Sequence, residues 1–124
     1  MAVRAVGFDF MGTLVHVRLD NKEYVRSMHR KLVELGIALS YKDLMEAHDR
    51  AAQRYRKIRV DKCREIDNRF WVADALKELG YHAKPEDKLI VEAVDAYFDP
   101  FIASLRVAPR AFATLSKIGK YLSV

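Results

Sequence analysis

Apolar residues recur at intervals of three and four through the middle of the chain, from about residue 20 to residue 105. This spacing places them along one side of an α-helix and predicts a series of amphipathic helices. Residues suited to helix ends divide the region into four helices, the third over about residues 66–79, and a fifth helix follows. The residues predicted to begin or end these helices are Asp20, Gly36, Ser40, Gly80, Pro85 and Pro109.

Two of these helix ends are alike, since Glu-Leu-Gly occurs at residues 34–36 and again at residues 78–80. We interpret them as one helix-ending device used twice. Pro100 is expected to kink or end the fourth helix, because proline cannot donate the backbone hydrogen bond. The apolar positions predicted to line the helix faces are Val25, Met28, Leu32, Leu35, Leu44, Ala47, Ala51, Tyr55, Ile58, Phe70, Ala73, Leu76, Leu79, Ile90, Val94, Tyr97 and Phe101.

The first residues of the chain follow a different pattern. Residues 3–8 are apolar or small apart from Arg4 and show no helical period, which predicts a strand buried on both faces. Residues 121–124 predict the opening of a second strand. Asp9 follows the first of these strands directly, at the end where open α/β sheets bind their ligands.

A carboxylate, a glycine and a hydroxyl lie close together after the first predicted strand. Gly12 permits a sharp turn, and Thr13 supplies the hydroxyl beside Asp9. This arrangement predicts a nucleophile site. The alternative is that Asp9 merely ends a strand and begins a turn, as aspartate often does.

The segment Asp-Phe-Met-Gly-Thr-Leu at residues 9–14 resembles the first motif of the haloacid dehalogenase-like hydrolases, usually Asp-x-Asp-Gly-Thr-Leu or Asp-x-Tyr-Gly-Thr-Leu. The resemblance implies an α/β fold with a Rossmann-like core and a mainly helical cap inserted into it. Residues 1–19 and 106–124 would form the partial core, holding the first strand, the returning helix and the start of the second strand. Residues 20–105 would form the cap.

The resemblance also implies a role for each residue of the motif. Asp9 would attack the substrate and carry the covalent intermediate. In the phosphatase branch Mg²⁺ would bridge the Asp9 carboxylate and the phosphate, with the Met11 backbone carbonyl as a second metal ligand. The turn formed by Phe10, Met11, Gly12 and Thr13 would bind the small anionic substrate, a phosphoester or a haloacid, through backbone N–H groups.

The side chain of Met11 departs from the phosphatase pattern, which has a second aspartate there as general acid and base. Methionine carries no titratable proton and cannot do this work. A non-acidic residue is more like the dehalogenase and phosphonate-cleaving branches, and a dehalogenase needs no metal. The sequence therefore leaves two branches open, a phosphatase type with Mg²⁺ and a dehalogenase type without a cofactor.

Three later family motifs are missing from the 124 residues: a Ser or Thr after the second strand, a Lys, and an acidic pair that completes the metal site. The resemblance thus covers about the first half of a typical member. We expect a fragment, or one half of a protein completed by a C-terminal core or a second chain, that is inactive alone. The alternative is a non-catalytic binding or assembly module derived from this fold.

Composition limits the remaining possibilities. With 51% hydrophobic residues the chain is expected to be globular, and the single Cys63 excludes an internal disulfide and favours a reducing compartment. We expect a cytoplasmic protein without a signal peptide or a membrane span.

Net charge is +5, and basic residues concentrate between Arg50 and Arg64. Interleaved acidic residues favour a solvated helix face there over a nucleic-acid interface. His29 and His48 have no partners at metal spacing and are expected to pack or face solvent.

Overall fold

The computed structural model describes residues 3–122, with Asn21 described by its backbone alone. Helices make up 60% of this part of the chain, and the sheet is a single antiparallel pair of two-residue strands. The protein is therefore rich in α-helix. In chain order the elements are β1 (Val15–His16), α1 (Asn21–Glu34), α2 (Tyr41–Lys62), α3 (Asn68–Glu78), α4 (Lys88–Ser104), β2 (Arg106–Val107) and α5 (Ala111–Ile118).

The chain divides into two compact units. One unit is Asp20–Phe101 and contains α1, α2, α3 and most of α4. The other joins Met1–Leu19 to Ile102–Val124 and contains the sheet and α5. The sequence-based division placed the second boundary at residue 105 instead of residue 101.

Local signals start and end the helices of the Asp20–Phe101 unit as predicted. The Asp20 carboxylate accepts a hydrogen bond from the backbone N–H of Lys22 at 3.1 Å, and the Ser40 hydroxyl accepts one from the N–H of Asp43 at 3.1 Å. Each bond satisfies a helix-end donor that has no partner inside the helix. The predicted caps of α1 and α2 are therefore confirmed.

The two Glu-Leu-Gly helix ends are closed by equivalent backbone hydrogen bonds. At the end of α1 the Ile37 N–H donates to the Leu32 carbonyl at 2.9 Å, and at the end of α3 the Tyr81 N–H donates to the Leu76 carbonyl at 2.9 Å. The intervening glycine is left-handed in both cases, as this helix ending requires. The interpretation as one device used twice is confirmed.

The core of this unit is a cluster drawn from all four helices. Its fully buried large side chains are Met28, Leu32, Leu44, Leu76, Ile90 and Val72. The prediction that Phe70 faces this core was wrong, since its side chain is 46% exposed. The buried face of α3 is instead built from Val72, Ala73, Ala75 and Leu76, because the small Ala75 packs against Ala47 and Ala51 of α2.

Neither of the two prolines expected at the ends of α4 marks an end of this helix. Pro85 lies in a turn before the helix, which begins at Lys88. Asp87 closes that turn, since its carboxylate accepts a hydrogen bond from the Lys84 N–H at 2.8 Å. Pro100 does not end α4, which continues to Ser104. The missing N–H of Pro100 removes one backbone hydrogen bond without ending the helix.

The buried strand predicted at residues 3–8 is not shown in the part of the chain that the structure describes. Ala5 alone of these residues lies in an isolated β-bridge, and Val3 is 67% exposed. A parallel strand needs neighbours that share its backbone hydrogen bonds, and the described strands pair only with each other. Of the second predicted strand, Tyr121 and Leu122 lie in a turn after α5. Ser123 and Val124 lie outside the described residues. The Rossmann-like core therefore stays a prediction.

Two arginines of the basic stretch of α2 pair with acidic residues of α3. Arg50 donates to the Glu78 carboxylate at 2.6 Å, and Arg54 lies 3.7 Å from the Asp74 carboxylate. The Tyr55 hydroxyl also donates to Asp74 at 2.6 Å, and burial followed by this hydrogen bond raises the pKa of Tyr55 to about 12. These contacts support the interpretation of a solvated helix face.

Within residues 3–122, no helix has the length and apolar character needed to cross a membrane.

The two isolated histidines pack within the Asp20–Phe101 unit. The His29 Nε2 lies 2.9 Å from the Leu39 carbonyl oxygen. His48 is only 6% exposed, its ring lies 5.2 Å from that of Tyr97, and its buried Nδ1 has no hydrogen-bond partner among the described residues. Burial lowers the pKa of His48 and outweighs the opposing effect of Asp49, while Arg56 lowers it further.

His48 makes the stability of the protein depend on pH. The unfolded chain binds a proton near pH 6.5, whereas folded His48 resists protonation to a lower pH. Its contribution is therefore full above about pH 6.5 and is lost as the pH falls, by at most about 1.4 kcal/mol per pH unit. We expect His48→Leu to flatten this dependence in urea unfolding at pH 7 and pH 5. Gln53→Leu, an exposed change on the same helix, should retain it. An unchanged slope in His48→Leu would contradict this assignment.

Candidate functional site

The candidate site is a tight turn that follows Asp9. The N–H groups of Leu14 and Val15 both donate to the Phe10 carbonyl at 3.0 Å, and the Gly12 N–H donates to the Val15 carbonyl at 2.8 Å. Gly12 has a φ of +82°, which a residue with a side chain rarely adopts. The sequence Met11-Gly12-Thr13 therefore turns sharply, as the glycine predicted.

The turn is tied to the segment that precedes α5. Val15 pairs with Val107 in the two-stranded sheet, and the Ala108 N–H donates to the Leu14 carbonyl at 2.8 Å. Below the turn lies a cavity of about 160 Å³, and its lining includes Phe8, Thr13, Leu14, Ala108, Pro109 and Leu115. Backbone pairing and apolar packing together hold the turn in place.

Asp9 lies at the surface beside this turn. Its carboxylate is exposed, and the Thr13 hydroxyl lies 3.5 Å from its Oδ2, which is a long contact for a hydrogen bond. An exposed carboxylate with one weak contact is accessible to a substrate. The structure thus brings together Asp9 and Thr13, the two reactive side chains that the sequence singled out.

Backbone donors remain for an anion at this turn, although not all of those expected. The Gly12 N–H is used by Val15. The N–H groups of Met11 and Thr13 make no hydrogen bond to any described residue. Backbone N–H groups grouped in a turn form a concavity that attracts anions. The side chains of Phe10 and Met11 are exposed by 54% and 42% and leave the turn open.

Few residues at the turn could hold a metal ion. Across residues 3–122 no three His, Cys, Asp or Glu side chains are grouped as a metal site. Asp9 and the Met11 carbonyl are oxygen donors of the kind that Mg²⁺ prefers, and Mg²⁺ sites often use one or two carboxylates with substrate phosphate and water. The donors fit Mg²⁺, but a single carboxylate supports only weak binding.

Sequence reasoning did not single out three basic residues in the same unit as the turn. His16, Arg18 and Arg106 line a groove along the two-stranded sheet. The alternation of His16 and Arg18 in an extended segment was a visible signal. Its significance depends on Arg106, which lies far away in sequence and pairs with His16 only in the folded chain.

The sequence was compared with models of protein families, with characterised proteins and with solved structures, and it matches none of them.

Proposed function

We propose that the chain carries the nucleophile of a haloacid dehalogenase-like hydrolase and that this nucleophile is Asp9. The observation that carries the proposal is the exposed Asp9 carboxylate beside a turn in which the backbone N–H groups of Met11 and Thr13 make no hydrogen bond to a described residue. Such a turn can position an anionic group next to the carboxylate. The motif at residues 9–14 supplies the reaction class, and the turn supplies a geometry that suits it.

In the phosphatase type, an Asp9 oxygen attacks the phosphorus of a phosphoester. The bond between phosphorus and the leaving oxygen breaks, and the leaving alkoxide takes a proton from water. A second water then attacks the phosphorus of the aspartyl phosphate, which releases phosphate and restores the carboxylate. Mg²⁺ held by Asp9 and the Met11 carbonyl would offset the negative charge of the phosphate.

In the dehalogenase type, the same oxygen attacks the carbon that carries the halogen. The carbon–halogen bond breaks, halide leaves with the electron pair, and an ester of Asp9 forms. Water then adds to the ester carbonyl, which releases a hydroxy acid and the free carboxylate. Halide needs no proton to leave, so Met11 is compatible with this reaction.

Both reactions need groups that the 124 residues do not contain. We propose that the Ser or Thr, the Lys and the acidic pair implied by the motif come from a further part of a longer polypeptide or from a second chain. The proposed activity belongs to that complete assembly, and experiments on activity should use the protein in the assembly isolated from its source.

Two model substrates distinguish the branches. We expect the assembly to hydrolyse either p-nitrophenyl phosphate, with activity lost in EDTA and restored by Mg²⁺, or 2-chloropropionate, with chloride released in EDTA. For the phosphatase branch, Met11→Asp should raise the rate by about 100-fold or more, because it supplies the missing acid and base at an exposed position. If the assembly hydrolyses neither of the two compounds, the proposal is contradicted.

A second candidate is a non-catalytic binding module. It is favoured by the lack of a titratable group at Met11 and of any three-residue metal group among the described residues. Such a module would bind anions at the turn but would show no turnover in the complete assembly. The substrate experiment therefore separates it from the hydrolase.

A further inference from the structure

A groove of about 740 Å³ runs along the two-stranded sheet, within the unit that also contains Asp9. Residues of both strands and of their flanking segments form its walls. None of the residues from Asp9 to Thr13 takes part, so the groove is separate from the candidate nucleophile site. Its lining consists of His16, Val17, Arg18, Ser104, Arg106, Val107 and Pro109.

The polar lining of the groove carries one sign of charge. It includes two guanidinium groups, an imidazole and a hydroxyl, and no carboxylate is found among the described residues that line it. Elsewhere in the chain, arginines such as Arg50 and Arg54 face acidic partners on α3. Arg18 makes no hydrogen bond or ion pair with any described residue. The groove is therefore a site of uncompensated positive charge.

Backbone pairing brings these basic residues together. His16 and Arg106 are direct partners in the antiparallel register, a position that places facing side chains within about 6 Å at their Cβ atoms. Arg18 lies two residues after His16, in the segment that follows β1, and it lines the same groove. The three side chains thus converge from two segments.

Arg106 is also held in position. Its Nη1 donates to the carbonyls of Ala103 and Leu105, at 3.1 and 2.8 Å. These bonds fix the planar guanidinium, and Nε and Nη2 make no hydrogen bond to any other described residue. A fixed guanidinium loses less conformational entropy on binding, and its Nε and Nη2 N–H groups are spaced to bind two oxygens of a phosphate.

From this geometry we propose that the groove binds the phosphate group of a small molecule. Two guanidinium groups beside an imidazole suit a dianion better than a singly charged carboxylate ligand. The volume exceeds that of a phosphate ion and leaves room for an organic part. The described lining contains no Phe, Tyr or Trp, which would supply the stacking surface that single-stranded nucleic acid prefers.

Inorganic phosphate in EDTA is the probe, titrated into the 124-residue chain by calorimetry at constant ionic strength. We expect Arg18→Gln to weaken phosphate binding about tenfold to a hundredfold, since a hydrogen bond to a charged group contributes that much. Arg18→Lys should retain part of the phosphate affinity that Arg18→Gln loses, because lysine keeps the positive charge but lacks the planar guanidinium. Acetate should bind more weakly than phosphate.

Two variants control for charge and for the proposed nucleophile. Arg30→Gln removes an exposed arginine that lies outside the groove and makes no hydrogen bond or ion pair with a described residue, and it should leave phosphate binding unchanged. Asp9→Asn should also leave it unchanged in EDTA, so failure of the hydrolase proposal would not affect this result. Equal losses in Arg18→Gln and Arg30→Gln, or no binding by a wild-type chain whose circular dichroism shows it folded, would overturn the proposal.

Discussion

Replacing Asp9 with asparagine is expected to lower turnover by the complete assembly by about a thousandfold or more. The amide cannot act as the attacking carboxylate, and loss of a covalent nucleophile removes the reaction path itself. The change is nearly isosteric at an exposed position, so the fold should be unaffected. Initial rates on the hydrolysed substrate, with circular dichroism as a check on folding, measure the effect.

Asp95→Asn is the matched control for this variant. Asp95 is an exposed aspartate on α4 that makes no hydrogen bond or ion pair with a described residue, and its replacement changes the charge by the same amount. Its turnover should equal that of the wild type. Wild-type turnover in Asp9→Asn would show that another group attacks the substrate.

Truncating Leu76 to alanine is expected to lower the free energy of unfolding by about 2–5 kcal/mol. Leu76 is fully buried in the cluster that joins α3 to the other helices, so the change removes apolar contacts and leaves a cavity. Urea unfolding followed by far-ultraviolet circular dichroism measures the loss.

Phe70→Ala provides the comparison on the same helix. Although phenylalanine is the larger side chain, Phe70 is 46% exposed, and its removal should cost less than about 1 kcal/mol. A larger loss of unfolding free energy for Phe70→Ala than for Leu76→Ala would support the sequence-based prediction that Phe70 faces the core, and it would contradict the observed core.

Features fixed by neighbouring residues could be predicted from the sequence. Asp20 and Ser40 cap helices through bonds to residues two and three positions away, and Gly36 and Gly80 close them through equally local bonds. The turn at Gly12 belongs to the same class. In each case the residue type limits the backbone enough to decide the structure.

Features that depend on distant partners could not be predicted. Residues 3–8 have the composition of a buried strand, but the pairing of such a segment depends on strands that lie far away in sequence. The face of α3 was misjudged because small alanines on α2 decide how closely that helix approaches. The groove likewise depends on the pairing of His16 with Arg106, which no local pattern reveals.

The most direct test of the central claim is to look for a covalent intermediate on Asp9. The assembly would be mixed with the hydrolysed substrate, quenched in acid during turnover and digested, and the peptide containing Asp9 would be weighed by mass spectrometry. We expect an adduct on Asp9 with the mass of the phosphoryl group or of the dehalogenated acid, and none in Asp9→Asn. Turnover with an unmodified Asp9 peptide, or with an adduct on a different residue, would contradict the assignment.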